Sequence, residues 1–179
     1  EPYPVDGVFT VKSEKDYMIN VFNKGKKKGL TTGYQALDNH YTLRTSELDV
    51  WTGIPGSGKT MMALQIMLNS SVLYGWKWGI FSPENYPVGD LFDTLAEMYI
   101  GNTSDIDVED RMSIHEYHEA IDFLHNHFYA IYPKDDFSLD NILSKFKHLV
   151  LKHGIKGCLL DPFNQLDHNF SGKDETTYS

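Results

Sequence analysis

The stretch Gly53-Ile54-Pro55-Gly56-Ser57-Gly58-Lys59-Thr60 restricts the fold of this chain more than any other feature. It fits the pattern G-x-x-x-x-G-K-[ST], a glycine-rich turn that must lie between a strand and the start of a helix. The glycines let backbone N–H groups converge on an anion, and the helix adds its positive N-terminal end. Both flanks agree with that placement. "ELDVWTG" (47–53) is rich in β-favouring residues and is expected to be a strand. "KTMMALQIMLNSSVLYG" is apolar around most of its circumference and is expected to be a deeply buried helix stopped by Gly75.

The rest of the chain repeats this alternation. "KWGIFS" (77–82), "FYAIYP" (128–133, ended by Pro133) and "IKGCLLD" (155–161) read as further strands. "GDLFDTLAEMYIG", "IHEYHEAIDFLHNH" and "SLDNILSKFKHLVLKHG" read as helices, the last capped by Ser138 and stopped by Gly154. The order strand, helix, strand, helices, strand, helix, strand predicts an α/β fold, a mostly parallel sheet flanked by helices with right-handed crossovers. Ahead of it, "EKDYMINVFNKG" suggests a short amphipathic helix with Ser13 and Asp16 as a capping box and Gly25 as its stop. Thr32 is expected to cap another short helix in "TTGYQALDNHY". Residues 1–12 read as an extended connector, and "KGKKKG" as a solvated basic linker.

Composition sets the outer limits. With 179 residues, 41% hydrophobic and 23% charged, the chain suits one domain with a sizeable core. No apolar run approaches ~18 residues, so no membrane span is expected, and no secretory signal opens the chain. The net charge of −9 argues against a broadly basic nucleic-acid surface, though not against local contacts. The single cysteine, Cys158, cannot form an internal disulfide, which fits a reducing compartment. The expected location is the cytoplasm of a bacterial or phage-infected cell rather than the mitochondrial matrix. The chain opens on Glu1, and "EPYPVDG" reads like the middle of a longer protein.

Three positions give the loop its chemistry. Lys59 can reach the β and γ phosphates of a nucleotide, and the Thr60 hydroxyl can hold Mg²⁺. Asp161 follows the apolar run "CLL" and supplies a second metal-facing oxygen at a strand end. Glu84 lies 25 residues after Lys59, in "FSPEN", just past the second strand. Ligands of open parallel sheets gather at the carboxyl ends of the strands, so Glu84 is placed to activate a water as general base. The other candidates read as bland. His115 and His118 are three residues apart without further ligands, and His125 and His127 are similar. Trp76 and Trp78 suit packing, Tyr34 either packing or contact, and Arg44 a surface ion pair.

The runs "GLTTGYQALDNHYTLRTSELDVWTGIPGSGKT", "WGIFSPEN" and "IKGCLLDPFNQLDH" resemble the RecA-like motor domain of DnaB-type replicative helicases, in the branch of Twinkle and the phage primase–helicases. The resemblance covers about residues 3–179. It implies a RecA-like P-loop NTPase that binds ATP or another NTP with Mg²⁺. It further implies a ring, usually a hexamer, that moves 5′ to 3′ on single-stranded DNA. Residues 53–60 would then be the nucleotide loop, with Lys59 and Glu84 catalytic and Thr60 and Asp161 at the Mg²⁺. Residues 1–29 would be a connector and the linker helix that packs on a neighbouring subunit, following an upstream primase-like domain. Residues 30–179 would be the first part of the ATPase domain.

Two departures stand out. The family has Gly-Glu before the first strand, where this chain has Ser46-Glu47, so a modest change in the turn is expected. The family also carries a further helix, a sensor strand, DNA-contacting loops and an arginine finger beyond the position of Asp161. The two arginines here, Arg44 and Arg111, precede that region. A finger in trans is worth about 10³–10⁵ in rate, so this stretch is expected to bind nucleotide better than it hydrolyses it. "NFSGKDETTYS" resembles the start of a DNA-facing loop, with Lys173 as a phosphate contact. Other readings are a RecA-like recombinase or signalling ATPase, a non-catalytic assembly module, and a small-molecule kinase. Glu84 and the lack of an arginine-rich lid weigh against the kinase.

Overall fold

A computed structural model describes residues 7–26 and 28–166. Helices α1 (Lys15–Lys24) and α2 (Gln35–Asp38) precede α3 (Lys59–Tyr74). Then come β1 (Trp78–Phe81), α4 (Val88–Ile100), α5 (Ile114–His127), β2 (Phe128–Ile131), α6 (Leu139–His153) and β3 (Gly157–Leu160). A 3₁₀ turn (Phe163–Gln165) follows β3. The tail from residue 167, including Lys173, and the first six residues of the connector lie outside the described residues.

The three strands form one parallel sheet in the order β2-β1-β3. β1 is buried along its whole length, as the central strand of a sheet covered on both faces must be. Its side chains alternate between two cores. Trp78 and Ile80 join Leu64, Leu68, Leu95 and Leu124 on the side of α3, α4 and α5. Phe81 joins Ile142, Phe146 and Ile155 on the side of α6. Trp78 meets its polar need inside the core, its Nε1–H donating to Ser70 Oγ at 2.9 Å. The Trp78 ring lies so close to β3 that a Cβ at Gly157 would stand 2.0 Å from it, which is why glycine occupies that register position.

The helix boundaries follow their stop and start residues. Gly75, Gly101 and Gly154 end α3, α4 and α6 in the left-handed conformation. α5 begins with a capping box between Ser113 and Glu116, and Ser138 caps α6. Two expected caps differ. Ser13 makes no cap bond to α1 and instead donates to the Thr10 carbonyl at 2.8 Å. Thr32 lies ahead of α2 and is buried, its backbone N–H and hydroxyl both donating to Asp38 Oδ1 at 2.7 and 2.8 Å.

The main correction is the expected first strand. Residues 47–53 belong to no strand. Leu48 is 91% exposed and Val50 78% exposed. β-favouring side chains do not make a strand without a ladder partner, and the segment is held by side chains instead. Tyr41 donates to Asp49 at 2.9 Å, and its ring meets Trp51 edge-on at 5.8 Å. Between this segment and β3 runs a slot of about 400 Å³, floored by Ala63 and Ile66 and bordered by Phe146, Cys158 and Leu160. Among the described residues the sheet therefore has three strands where four were expected.

Ser46 takes φ 65°, the one described non-glycine residue in the left-handed region. The turn before residue 47 thus takes a conformation that favours glycine, and a serine there carries backbone strain.

Candidate nucleotide-binding site

The glycine loop enters α3 through Gly58, the residue before its first turn, at φ 81°. A side chain there would be strained, so the last loop glycine is a conformational requirement. The loop is closed from within. The Ser57 N–H donates to the Ile54 carbonyl at 3.3 Å, and the Lys59 ammonium donates to the carbonyls of Gly53 and Ile54, both at 2.9 Å. Residues 51–58 are exposed, including the whole run from Gly53 and Ile54 through Pro55, Gly56, Ser57 and Gly58. Lys59 and Thr60 are half-buried where α3 begins.

The sheet register brings the other residues to the same edge. Phe81, Ile131 and Leu160 are paired at the carboxyl ends of the three strands. Asp161 extends the ladder by one bond, its N–H donating to the Phe81 carbonyl at 2.9 Å. Its carboxylate then accepts from Thr60 Oγ1 at 2.5 Å, joining the glycine loop to the end of β3. Both are oxygen donors, the kind a hard cation such as Mg²⁺ takes.

Glu84 sits at the exposed tip of a turn directly after β1. The Asn85 N–H donates to the Ser82 carbonyl at 3.1 Å, closing a four-residue turn with Pro83 and Glu84 at its corners. The fold places the glycine loop, Lys59, Thr60 and Asp161 together, and the turn that carries Glu84 follows the end of β1 at the same sheet edge.

The weaker candidates resolve plainly. Trp76 and Trp78 are buried and lie against each other at 5.7 Å. Arg44 pairs with Glu47 at 3.3 Å. His115, His118 and His125 are exposed, while His127 stacks on Phe123. Among the described residues, no cluster of His, Cys, Asp or Glu has the makings of a separate metal site.

Two features escaped the sequence reading. One is a clasp around Asp38, whose carboxylate takes both Thr32 bonds and a very short one from the Thr31 hydroxyl. Asn69 of α3 ties the same turn down by donating to the Thr32 carbonyl at 2.9 Å. The Thr31 hydroxyl, ahead of the Thr32 backbone N–H, holds Asp38 below the usual carboxylate range. The signal was present in "TTGYQALD", where polar residues bracket a turn. The other is the setting of Glu84, whose neighbours Ser82, Asn85 and Tyr86 are all engaged.

A parallel sheet, a glycine loop feeding a Lys-Thr helix start, and an aspartate at the adjoining strand end define a P-loop α/β domain of the RecA-like kind. The sequence comparisons carry this further. The family model for the DnaB-like helicase C terminal domain matches residues 29–177, and the chain belongs to that family. It is also 36% identical, over 187 aligned positions and 99% of its length, to the "Twinkle homolog protein, chloroplastic/mitochondrial" of Arabidopsis thaliana. The chain spans 26% of that relative's length.

Proposed function

We propose that this domain is the nucleotide-hydrolysing motor of a replicative DNA helicase, working on single-stranded DNA from 5′ to 3′ within a ring, as a hexamer. The observation that carries this reading is the Thr60–Asp161 hydrogen bond, which couples the glycine loop to the strand end beside Glu84 in a chain of the DnaB-like family.

In this reading residues 53–60 cradle the phosphates of ATP or another NTP through backbone N–H groups. Lys59 leaves the Gly53 and Ile54 carbonyls to meet the β and γ phosphates. Thr60 and Asp161 would hold Mg²⁺, which when bound would supply positive charge against the phosphates. Glu84 accepts a proton from the attacking water as general base. None of the described arginines stands in for a finger: Arg44 pairs with Glu47, and Arg111 donates to the Ser104 carbonyl at 3.3 Å.

Ring assembly has support in α1. No residue of α1 is buried, and Tyr17, Met18 and Phe22 are exposed on it. A short helix presenting apolar side chains gains by packing on a neighbouring subunit. Residues 1–29 then form the connector and linker helix, and residues 30–179 the first part of the ATPase domain. The much greater length of the Arabidopsis relative leaves room for an upstream primase-like domain in the whole protein. Among the described residues no helix is long and apolar enough to cross a membrane. The relative's name favours an organelle matrix over the bacterial or phage setting first expected.

The direct test is unwinding of forked duplexes by the full-length protein with ATP. Strand separation that requires a 5′ single-stranded tail on the translocated strand is the expected result. Separation that requires only a 3′ tail contradicts the direction, and none on any fork contradicts the helicase assignment.

A further inference from the structure

Glu84 is held between two constraints that come from outside the nucleotide loop. On one side, Asn85 closes back on Ser82. Its backbone N–H reaches the Ser82 carbonyl at 3.1 Å, and its Nδ2 donates to Ser82 Oγ at 2.7 Å. Ser82 is 7% exposed and follows the fully buried Phe81, so this clamp is anchored in the sheet. On the other side, Tyr86 stacks on Tyr132, with ring centroids 4.6 Å apart and planes 29° from parallel. Tyr132 lies one residue past the end of β2 and meets Phe137 edge-on at 5.7 Å. Phe137 in turn leans on Phe81 at 5.9 Å. The contacts form a closed circuit, from Phe81 through Phe137 and Tyr132 to Tyr86, and back along the backbone through Asn85, Glu84 and Ser82.

A general base must be held within hydrogen-bond reach of its water, so the backbone that carries Glu84 has to be fixed in place. A misplacement of 1 Å can cost about 100-fold in rate. We propose that Asn85 and Tyr132 are positioning residues that fix the aim of Glu84, Asn85 through the Ser82 clamp and Tyr132 through the stack on Tyr86. Tyr132 does this from the residue just past β2, a strand that carries none of the loop or metal-facing residues. The inference rests on the reading of Glu84 as the base. An alternative use of the exposed rings is to stack a DNA base. Aspartates 135 and 136 lie close to Tyr132 in sequence, which disfavours a phosphate backbone there.

The test is steady-state ATP hydrolysis by the full-length protein at saturating single-stranded DNA, comparing wild type with Asn85→Ala, Tyr132→Ala, Tyr132→Phe and Glu84→Gln. Asn85→Ala and Tyr132→Ala are expected to lower kcat by about 10–100-fold. KM for ATP and affinity for DNA should stay within about twofold, because no phosphate or metal contact is touched. Tyr132→Phe keeps the ring and should restore kcat. Asn85 lies on a surface turn, so its variant reads the effect without disturbing the core. Wild-type kcat in Asn85→Ala and Tyr132→Ala, with Glu84→Gln inactive, would overturn the positioning role and leave the base assignment standing. Wild-type kcat in Glu84→Gln would remove the base and this inference with it. Weakened DNA affinity at unchanged saturating kcat would also overturn it, and would make the rings a DNA contact.

Discussion

Thr60 and Asp161, 101 residues apart in sequence, are joined by a 2.5 Å hydrogen bond between hydroxyl and carboxylate. The contact exists because α3 starts, and β3 ends, at the same edge of the sheet. It fixes the position of the hydroxyl and one carboxylate oxygen relative to the loop. Asp161→Asn keeps the shape but removes the charge. Hydrogen bonds to charged groups contribute about 1.5–3 kcal/mol, so Mg²⁺-dependent nucleotide binding should weaken by roughly 10- to 100-fold. Titration with a fluorescent ATP analogue checks this, with and without Mg²⁺. An equal affinity with Mg²⁺ would separate Asp161 from the metal.

Lys59→Ala removes the ammonium from the loop and from the Gly53 and Ile54 carbonyls at once. Nucleotide affinity should fall by at least about tenfold, again on the scale of a charged hydrogen bond. The thermal midpoint without nucleotide should change little, because the loop is exposed. Unchanged affinity would mean that the loop does not cradle phosphates.

How much of this was legible in the sequence differs between elements. The glycine loop, Lys59 and Thr60 were readable because a tight turn with converging N–H groups needs particular residues at particular spacings. α5 was readable to the residue because Ser113 and Glu116 form a local capping box. The segment 47–53 was misread because a strand is a relationship, and Val50 and Trp51 state a preference without naming a partner. The Ser82–Asn85 clamp was half-legible, since Ser-Pro-Glu-Asn is turn chemistry. Its link to Tyr132 was not, because no local rule ties a turn to a strand end about 50 residues away.

Ser46 supplies a stability prediction. Its left-handed φ of 65° costs a side-chain-bearing residue roughly 1–2 kcal/mol. Glycine removes that cost but returns part of it through a freer unfolded chain. Ser46→Gly should therefore stabilise by about 0.5–1 kcal/mol, a rise of roughly 1–4 °C in Tm for a domain of this size. A drop in Tm on calorimetry would show that the serine side chain makes a compensating contact.

Asp38 makes the fold acid-sensitive in a defined direction. The Thr31 and Thr32 hydrogen bonds lower its pKa below the ordinary 3.8. A depressed carboxylate contributes stability that is fully present above its unfolded value and is lost as pH falls through the folded one. Melting should thus soften below about pH 4, and Asp38→Asn should be less stable at pH 7 with a flatter profile between pH 5 and 2. Parallel melting profiles for the two proteins would mean that the clasp does not depend on the charge.

Cys158 lies on the open side of β3 and lines the slot beside Asp161. It is exposed by surface area, yet desolvation in the slot pushes its thiol up to about 11. Alkylation by iodoacetamide at pH 8 should run on the order of 100-fold slower than for a free cysteine, because the thiolate is the reactive form. Reaction at the ordinary rate would show that the slot is wetter than its lining implies.

The central claim is that the Thr60–Asp161–Glu84 edge drives a motor on DNA. The measurement that tests it most directly is ATP hydrolysis by the full-length protein with and without single-stranded DNA. The account predicts strong stimulation by DNA, abolished in Glu84→Gln while ATP still binds. Steady hydrolysis that is indifferent to DNA would contradict it, and would leave a RecA-like ATPase with some other partner.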